Sequence, residues 1–461
     1  MKYFFLCITT MLCISASWAG NTKLDNDGML MVDGERHFVL GLYQTADNDA
    51  FAKEVADAGF NLIRAKANAT SLDRAQKAGL QCWIPVGNWA VENQNQSDKL
   101  SELINKHKSH PALAVWEGPD EILWNIWWRR YNQAQERWKQ VNVAFSNFKG
   151  SDKEQSKLGK LKILWERYRS SGRYALAEDI EEKMRLTLGM KSASEKLSEW
   201  HTHIPALMKQ LNQGSKIIKN NDPEHVIWFN YAPRNTLEDL NKFDSVTDIV
   251  GCDIYPVPFG PSNGHSDIKD RRITCVGSYT RLMAASAPGK PVWMVLQGFG
   301  WDDLLDYKPE KSRPRPTFKQ TRFMTYDAIV NGAQGILYWG TFAPEPNSEL
   351  WSDIKKVVSE LYGVQRFLSA KDANEEITIK EYPRYGSAEK GVVLLAKESK
   401  GDYAFIVVNE ADESIAFDIC GLQSINGRSF EILNEPEALT VKNGCLKYGL
   451  PGRSVSVLLS R

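Results

Sequence analysis

The sequence has few cysteines and histidines, no excess of either charge and only one long apolar run, and each of these shortages excludes a class of protein. It holds seven Cys and seven His in 461 residues, with no Cys-x-x-Cys pair and no His cluster, so we expect neither a metal site nor a cofactor. Lys plus Arg and Asp plus Glu both number 57, and no overall field therefore favours nucleic acid or an anionic membrane. The abundant residue is Trp, with 15 copies, which suits either a large core or a site that stacks on rings.

The one apolar run lies at the N-terminus. It extends from Tyr3 to about Ser15, follows Lys2, and is followed by Ser17-Trp18-Ala19, which has small residues at the two positions that signal peptidase reads. The run is too short to span a bilayer comfortably, although an uncleaved anchor is the alternative. We therefore expect a signal peptide over residues 1–19, export to the periplasm, the cell surface or the medium, and no transmembrane span.

Removal of that segment would leave five cysteines in a compartment that permits disulfides. Cys420 and Cys445 lie in the same C-terminal segment and could pair, and Cys252 with Cys275 is a second possible pair. The odd count leaves at least one free thiol, for which Cys82 in an apolar strand is the candidate.

Short apolar runs alternate with amphipathic helical runs between residues 37 and 368. The predicted strands cover residues 37–43, 61–64, 81–87, 112–117, 226–230, 248–253, 291–297 and 335–339. The first two predicted helices end at Gly59 and Gly79, and Ser71 is the predicted N-cap of the second. Apolar strands separated by helices indicate a parallel sheet covered on both faces, and eight such units predict a closed (β/α)8 TIM barrel. A doubly wound open sheet is the alternative, but no Gly-x-Gly-x-x-Gly follows the first strand.

Two segments do not fit a minimal barrel. Residues 124–222, between strands four and five, are rich in Lys, Glu, Gln, Leu and Arg, which predicts a helical insertion. It could be a solvated hairpin, a wall beside the barrel mouth, or a docking element for another protein. Residues 369–461 alternate as short strands with Gly, Asn and Asp turns, which predicts an all-β sandwich after a barrel domain over residues 20–368.

Polar and aromatic side chains follow the predicted strands at their carboxyl ends, where barrel loops build the site. Paired carboxyl groups beside aromatic rings suit cleavage of a glycosidic bond, because one acid protonates the leaving oxygen while a second carboxylate attacks or activates water. The predicted catalytic pair is Glu121 and Asp253, acting on a carbohydrate. The predicted substrate-binding residues are Arg64, Trp116, Glu117, Asp120, Tyr255, Gln297 and Trp339. An ion pair with Arg64 is a structural alternative for Glu117, and Trp124, Trp127, Trp128 and Trp301 are further candidate sugar platforms.

The order of these motifs resembles that of the clan A glycoside hydrolases, from about residue 30 to residue 368. Arg64 is similar to the arginine that ends strand two in that family. His110-Pro111 followed by Asp120-Glu121 resembles the strand-four motif, whose Glu is the acid/base, and Asp253-Ile-Tyr255 resembles the strand-six His-x-Tyr motif. Lys290 to Gln297 resembles strand seven, and Asn331 to Trp339 resembles strand eight with its platform tryptophan. The resemblance implies the eight-stranded barrel and glycosidase activity.

Two positions depart from that family pattern. Gln297 stands where the family has its nucleophilic Glu, and Asp120 stands where it has Asn. An amide is a poor nucleophile, so the retaining mechanism of the family does not carry over onto Gln297. Three alternatives follow: hydrolysis with Glu121 as acid and Asp253 or Asp120 as base, hydrolysis assisted by a substrate group that Gln297 orients, or a catalytically inactive barrel that binds glycan. The oligomeric state cannot be read from the sequence.

Overall fold

The computed structural model describes residues 22–460, except residues 88, 194, 261–265, 308, 374–375 and 383–389. The predicted signal peptide over residues 1–19 lies outside the described residues.

Eight parallel strands close into a barrel, which confirms the predicted fold. Its strands are β4 (Val39–Leu42), β5 (Leu62–Arg64), β6 (Gln81–Pro85), β7 (Leu113–Glu117), β8 (Val226–Tyr231), β9 (Ile249–Ile254), β10 (Val292–Gln297) and β11 (Ala333–Trp339). They pair in sequence order, and β11 closes the ring on β4 through the register Gly335↔Val39. All carboxyl ends of these strands therefore open at one mouth.

A small antiparallel sheet precedes the barrel, and the sequence analysis did not predict it. It consists of β1 (Thr22–Leu24), β2 (Leu30–Val32) and β3 (Glu35–His37). Leu30 and Val32 are buried in the same apolar cluster as the residues that fill the barrel. The Thr22 hydroxyl donates to the Ala114 carbonyl at 2.6 Å, which ties the sheet to the barrel.

Twelve α-helices accompany the strands within the described residues. They are α1 (Asp49–Asp57), α2 (Ala69–Lys77), α3 (Gln94–His107), α4 (Ile122–Asn147), α5 (Asp152–Ser170), α6 (Tyr174–Thr187), α7 (Ile204–Asn221), α8 (Leu237–Asn241), α9 (Cys275–Ser286), α10 (Phe318–Val330), α11 (Glu349–Gly363) and α12 (Gln365–Leu368). Helices α4 to α7 form the predicted insertion between β7 and β8, together with a 3-10 turn at Leu197–His203.

The ends of α1 and α2 agree with the predicted glycines at their C-termini but not with the predicted N-cap of α2. Gly59 and Gly79 follow α1 and α2 with φ of 101° and 78°, as the sequence predicted. The prediction of Ser71 as N-cap was wrong: the side chain of Asn68 accepts from the Ser71 amide at 2.9 Å and caps α2 three residues earlier. Asn is as strong a cap as Ser, and the Asn three residues upstream takes the position.

Tryptophan fills the barrel interior. Trp83, Trp228 and Trp293 are buried there, with ring centroids of successive pairs 5.7 Å apart. Gly251 leaves the space they need, since a Cβ at this position would lie 2.2 Å from the Trp293 carbonyl oxygen and 2.8 Å from Trp228 Nε1. Part of the Trp excess is therefore explained by packing rather than by ligand binding.

The segment after the barrel folds as two antiparallel sheets, which agrees with the predicted all-β part. One sheet has the order β12-β15-β18 and the other the order β13-β14-β19-β16-β17. Their bounds are β12 (Thr378–Tyr382), β13 (Val392–Ser399), β14 (Asp402–Asn409), β15 (Ile415–Cys420), β16 (Ser429–Ile432), β17 (Ala438–Thr440), β18 (Cys445–Leu450) and β19 (Ser454–Ser460). Phe405, Phe417 and Phe430 lie in their shared core.

Of the two proposed disulfides, one is formed. Cys420 and Cys445 are directly opposite each other on β15 and β18 and are bonded. Cys82, Cys252 and Cys275 are buried free thiols, so the alternative pair Cys252–Cys275 is not formed. In the part of the chain that the structure describes, no helix has the length and apolarity needed to cross a membrane.

Candidate active site

Two neighbouring cavities open at the carboxyl ends of the barrel strands. The inner cavity has a volume of about 240 Å³. It is lined by Tyr43, Asp120, Glu121, Asn230, Pro233, Arg234, Asp253, Tyr255, Phe299, Trp301, Leu304 and Trp339. The lateral cleft, of about 830 Å³, lies between the barrel mouth and the helical insertion. Tyr43, Asp120 and Trp339 line both cavities, so the two adjoin each other at these side chains.

Glu121 stands at the junction between the loop after β7 and helix α4. It has φ of 47° and ψ of 36°, a left-handed conformation that costs a non-glycine residue about 1–2 kcal/mol. It occupies the N-cap position, yet its side chain makes no capping hydrogen bond and instead lines the inner cavity. Helix capping therefore does not account for this carboxylate. Backbone strain of this kind is concentrated at functional sites.

The carboxyl groups of Glu121 and Asp253 are hydrogen-bonded to each other in the inner cavity. Asp253 points into the barrel because it alternates with Cys252 and Ile254, which face the surrounding helices. Burial, followed by the neighbouring Glu121, raises the pKa of Asp253 well above its ordinary value. Burial, followed by Asp120, raises the pKa of Glu121. The two groups therefore hold a proton between them at a pH where isolated carboxyl groups are ionised.

Asp120 is the third carboxyl group of the inner cavity, and its surroundings differ. Its Oδ1 accepts from Asn230 Nδ2 at 2.9 Å. Burial raises the pKa of Asp120, while the Asn230 hydrogen bond and the Arg64 guanidinium act in the opposite direction. The charged form of Asp120 therefore receives a hydrogen bond from a neutral amide and the field of a nearby cation, whereas the hydrogen-bond partner of Glu121 is itself a carboxyl group.

Glu117 and Arg64 line the lateral cleft rather than the inner cavity. Glu117 is buried and accepts from Trp83 Nε1 at 3.1 Å, and burial followed by Asp120 raises its pKa well above the usual range. Arg64 lies 5.7 Å from the Tyr43 ring centroid. Within the described residues no ion pair joins Arg64 to Glu117 within 4 Å, and the carboxyl group whose charge acts on Arg64 is that of Asp120.

Aromatic rings form one side of the inner cavity. Tyr255 and Trp339 stack with centroids 5.5 Å apart and an interplanar angle of 22°. Phe299 contacts both edge-on, and Trp301 packs against Phe299. The predicted residues Tyr255 and Trp339 thus lie together at the mouth, beside the carboxyl groups, where a sugar ring could stack on them.

The placement of Gln297 corrects the expectation that it binds substrate. Its side chain is fully buried and lines neither cavity. Its Nε2 donates to the carbonyls of Val257 at 2.8 Å and Phe299 at 3.0 Å, and its Oε1 accepts from the Val257 amide at 3.0 Å. The amide is therefore used to hold the loops after β9 and β10. A carboxylate could not make the two donated bonds, which gives a structural reason for Gln at this position.

Trp116 also lies away from the site. It is buried on the outer face of β7, because side chains alternate along a strand and its neighbour Glu117 points inward. Its Nε1 donates to Asp222 Oδ2 at 2.7 Å, at the end of α7. The expectation that Trp116 contacts substrate is corrected accordingly: it packs the insertion against the barrel.

Sequence reasoning missed Arg234, which lines the inner cavity. It lies three residues after β8, and its guanidinium carbon is 4.1 Å from the centroid of the Trp124 ring. It is the cation that favours ionisation of both Glu121 and Asp253. A search for basic residues in the loops after the strands could have found it. The described residues contain no group of three or more His, Cys, Asp or Glu side chains that could hold a metal ion.

Comparisons with known proteins agree with this architecture. The model of glycoside hydrolase family 42, described as beta-galactosidase, matches residues 91–349. A solved structure described as a glycoside hydrolase has a TM-score of 0.53 at 13% identity and covers 96% of each chain. A catalytic mutant of Gan42B, a beta-galactosidase of this family from G. stearothermophilus, has a TM-score of 0.51 at 10% identity, covering 92% of this chain and 98% of the other. No curated protein matches the sequence.

Proposed function

The chain belongs to glycoside hydrolase family 42, and from this premise we propose that it hydrolyses O-glycosidic bonds of an oligo- or polysaccharide. The observation that carries the proposal is the pair of hydrogen-bonded carboxyl groups, Glu121 and Asp253, in a cavity lined by aromatic rings. Since the family model is described as beta-galactosidase, β-galactosides are the first substrates to test.

Glu121 is proposed as the general acid. It is only half-buried, whereas Asp253 is 7% exposed, so Glu121 is the member of the pair that a leaving-group oxygen can reach. Burial and the adjacent Asp120 raise its pKa, which favours the protonated form that a general acid needs, while the hydrogen bond from Asp253 acts in the opposite direction. Asp253 supports this role because the two groups share one proton.

Asp120 is proposed as the second carboxylate, acting as base or nucleophile. Retaining glycosidases hold their two carboxyl groups about 5–5.5 Å apart and inverting ones about 6.5–9.5 Å apart, with the sugar between them. Glu121 and Asp253 are hydrogen-bonded and leave no such space. Asp120 lines the same cavity, and Asn230 and Arg64 favour its charged form. Asp253 as the base is the alternative.

The test of the acid compares Glu121→Gln with the wild type on a β-linked galacto-oligosaccharide and on galactosyl fluoride. Loss of a general acid is expected to lower kcat by about 10²–10⁴-fold on the oligosaccharide. The loss on the fluoride should be much smaller, because fluoride departs without a proton. Glu199→Gln, an exposed carboxyl group in the insertion, serves as the matched control. Full activity of Glu121→Gln on the oligosaccharide would refute the assignment.

The second carboxylate is identified by adding azide to the Asp120→Ala and Asp253→Ala variants. A small anion can occupy the space left by a missing base or nucleophile. We expect azide to restore turnover in Asp120→Ala, with a glycosyl azide as product, and to leave Asp253→Ala unchanged. Rescue of Asp253→Ala instead would assign the base to Asp253. The anomeric configuration of the wild-type product then distinguishes retention from inversion.

A barrel that binds glycan without cleaving it is the second candidate, and one observation favours it. The end of β10 carries Gln297, and its amide is fully used by main-chain partners. Calorimetric binding of an oligosaccharide, with no product after long incubation, would establish this alternative.

We also propose that the protein is exported. The basic and apolar N-terminal segment supports this, and so does the disulfide between Cys420 and Cys445, since such bonds persist in oxidising compartments.

A further inference from the structure

The lateral cleft has walls from two different parts of the chain. One wall comes from the insertion: Ile122, Asn125, Ile126, Trp128, Arg129 and Asn132 of α4, with Leu207 and Gln210 of α7. The opposite wall is the loop after β6, with Gly87, Ala90 and Glu92, and the floor includes Arg64 and Glu117. A barrel without the insertion would have no such cleft, so the insertion creates a binding volume beside the inner cavity.

The lining of the cleft combines an aromatic ring with free polar groups. Trp128 is 43% exposed, and its ring packs against Trp124 and Tyr131, which fix its position along α4. Asn132 and Arg129 make no side-chain hydrogen bond or ion pair with other described residues, so their donors are available to a ligand. Rings for C–H faces and amide or guanidinium groups for hydroxyls are the two features that a pyranose chain requires.

The position of the cleft indicates which ligand it takes. It adjoins the inner cavity at Tyr43, Asp120 and Trp339, so the sugar residues that follow one bound at the carboxyl groups would lie beside it. Its volume of about 830 Å³ lies in the range of about 300–1,000 Å³ typical of pockets for ligands larger than a single sugar ring.

We propose that the lateral cleft binds the sugar residues that extend the substrate beyond the bond to be cleaved, with Trp128 as a stacking surface and Asn132 as a hydrogen-bonding group. The preferred substrate is therefore an oligosaccharide chain rather than a glycoside with a small leaving group. This inference rests on the proposed function for the reaction, but the binding it predicts can be measured without any cleavage.

The test compares Trp128→Ala and Asn132→Ala with the wild type on β-galactotetraose and on galactosyl fluoride, whose leaving group is a single atom. For the tetrasaccharide we expect kcat/KM to fall about tenfold in Trp128→Ala and about threefold in Asn132→Ala, mainly through KM. For the fluoride both variants should stay within about twofold of the wild type, because the fluoride does not reach the cleft. Asn132 is exposed and its replacement leaves the aromatic packing intact.

The control is Leu186→Ala, which removes an exposed apolar side chain from α6 of the same insertion but outside both cavities. This variant should leave kcat/KM unchanged for both substrates. Equal losses on both substrates, or no loss on the tetrasaccharide in either variant, would overturn the proposal.

Failure of the proposed function is distinguishable from failure of this inference. If the wild type cleaves neither substrate, the Kd for β-galactotetraose is measured by calorimetry. A Kd about tenfold higher in Trp128→Ala would then support binding of the oligosaccharide in the lateral cleft. The absence of cleavage by the wild type would contradict the proposal of hydrolysis. No measurable binding, or an unchanged Kd, would overturn the inference as well.

Discussion

The carboxyl groups of Glu121 and Asp253 meet across the barrel mouth, one from the start of α4 and the other from the end of β9. Each is hydrogen-bonded to the other, and each lies in a cavity that also holds Arg234. Because two buried carboxyl groups in contact cannot both ionise readily, the pair retains a proton at a pH where a solvent-exposed carboxylate has lost it.

Replacing Asp253 with Leu is expected to move the alkaline limb of the pH–rate profile to higher pH. The hydrogen bond from the Asp253 carboxyl group lowers the pKa of Glu121, and a Leu side chain cannot donate it. Glu121 then keeps its proton to a higher pH. Profiles of kcat against pH for Asp253→Leu and for the exposed control Asp179→Asn test this. An alkaline limb that stays in place would show that Asp253 does not influence the acid.

Replacing Gln297 with Glu is expected to destabilise the protein and to create no nucleophile. The carboxylate would lose the two hydrogen bonds that Gln297 donates and would face the Val257 and Phe299 carbonyls in a fully buried position. The cost is about 3 kcal/mol or more of unfolding free energy, because buried acceptors are left facing each other. Burial raises the folded-state pKa of such a group, so its penalty grows as pH rises above the unfolded-state pKa.

Thermal unfolding at pH 5 and pH 8 measures this effect in Gln297→Glu. The loss of Tm should be larger at pH 8, and activity should not rise at either pH. Gln76→Glu, an exposed change on α2, controls for the added charge. A Gln297→Glu variant as stable as the wild type and more active would show that position 297 faces the substrate.

The number of free thiols reports both the disulfide and the processing of the N-terminus. The native protein should react slowly with a thiol reagent, since Cys82, Cys252 and Cys275 are buried and burial raises their pKa values. After unfolding without reductant, three thiols are expected if residues 1–19 have been removed. Five are expected if Cys7 and Cys13 are retained. Mass spectrometry of protein from the periplasm or medium gives the count independently, and five thiols there would contradict cleavage of a signal peptide.

The same disulfide has an expected energetic effect. Cys420 and Cys445 are 25 residues apart in sequence, so the bond restricts the unfolded chain, and replacing both cysteines with Ser should lower the unfolding free energy by about 3 kcal/mol. Chemical denaturation of the double variant beside the wild type measures the loss. Equal midpoints would indicate that the bond contributes nothing to stability.

Several site residues could be predicted because they stand at or after the end of an apolar strand, which is visible in the sequence. Arg64, Asp120, Glu121 and Asp253 each end or follow an apolar strand, and parallel strands in a closed barrel bring such ends to one mouth. The error over Trp116 was avoidable, because side chains alternate along β7 and Glu117 cannot point inward unless Trp116 points outward. The sheet β1–β3 could not be predicted from the sequence, since each of its strands has only three residues and so short a segment shows no periodicity.

The sequence by itself determined the eight-stranded architecture, the helical insertion, the all-β segment and the identity of the carboxyl groups near the mouth, because period and polarity along a strand are local properties. Only the tertiary structure decided that Glu121 bonds to Asp253, that Gln297 serves main-chain groups of two loops, and that α4 and α7 form a cleft beside the carboxyl groups. Each of these relations joins segments far apart in the chain. The distance between those segments in the folded protein is set by barrel closure and by the direction in which the insertion packs. Neither of these is encoded in any short stretch of residues.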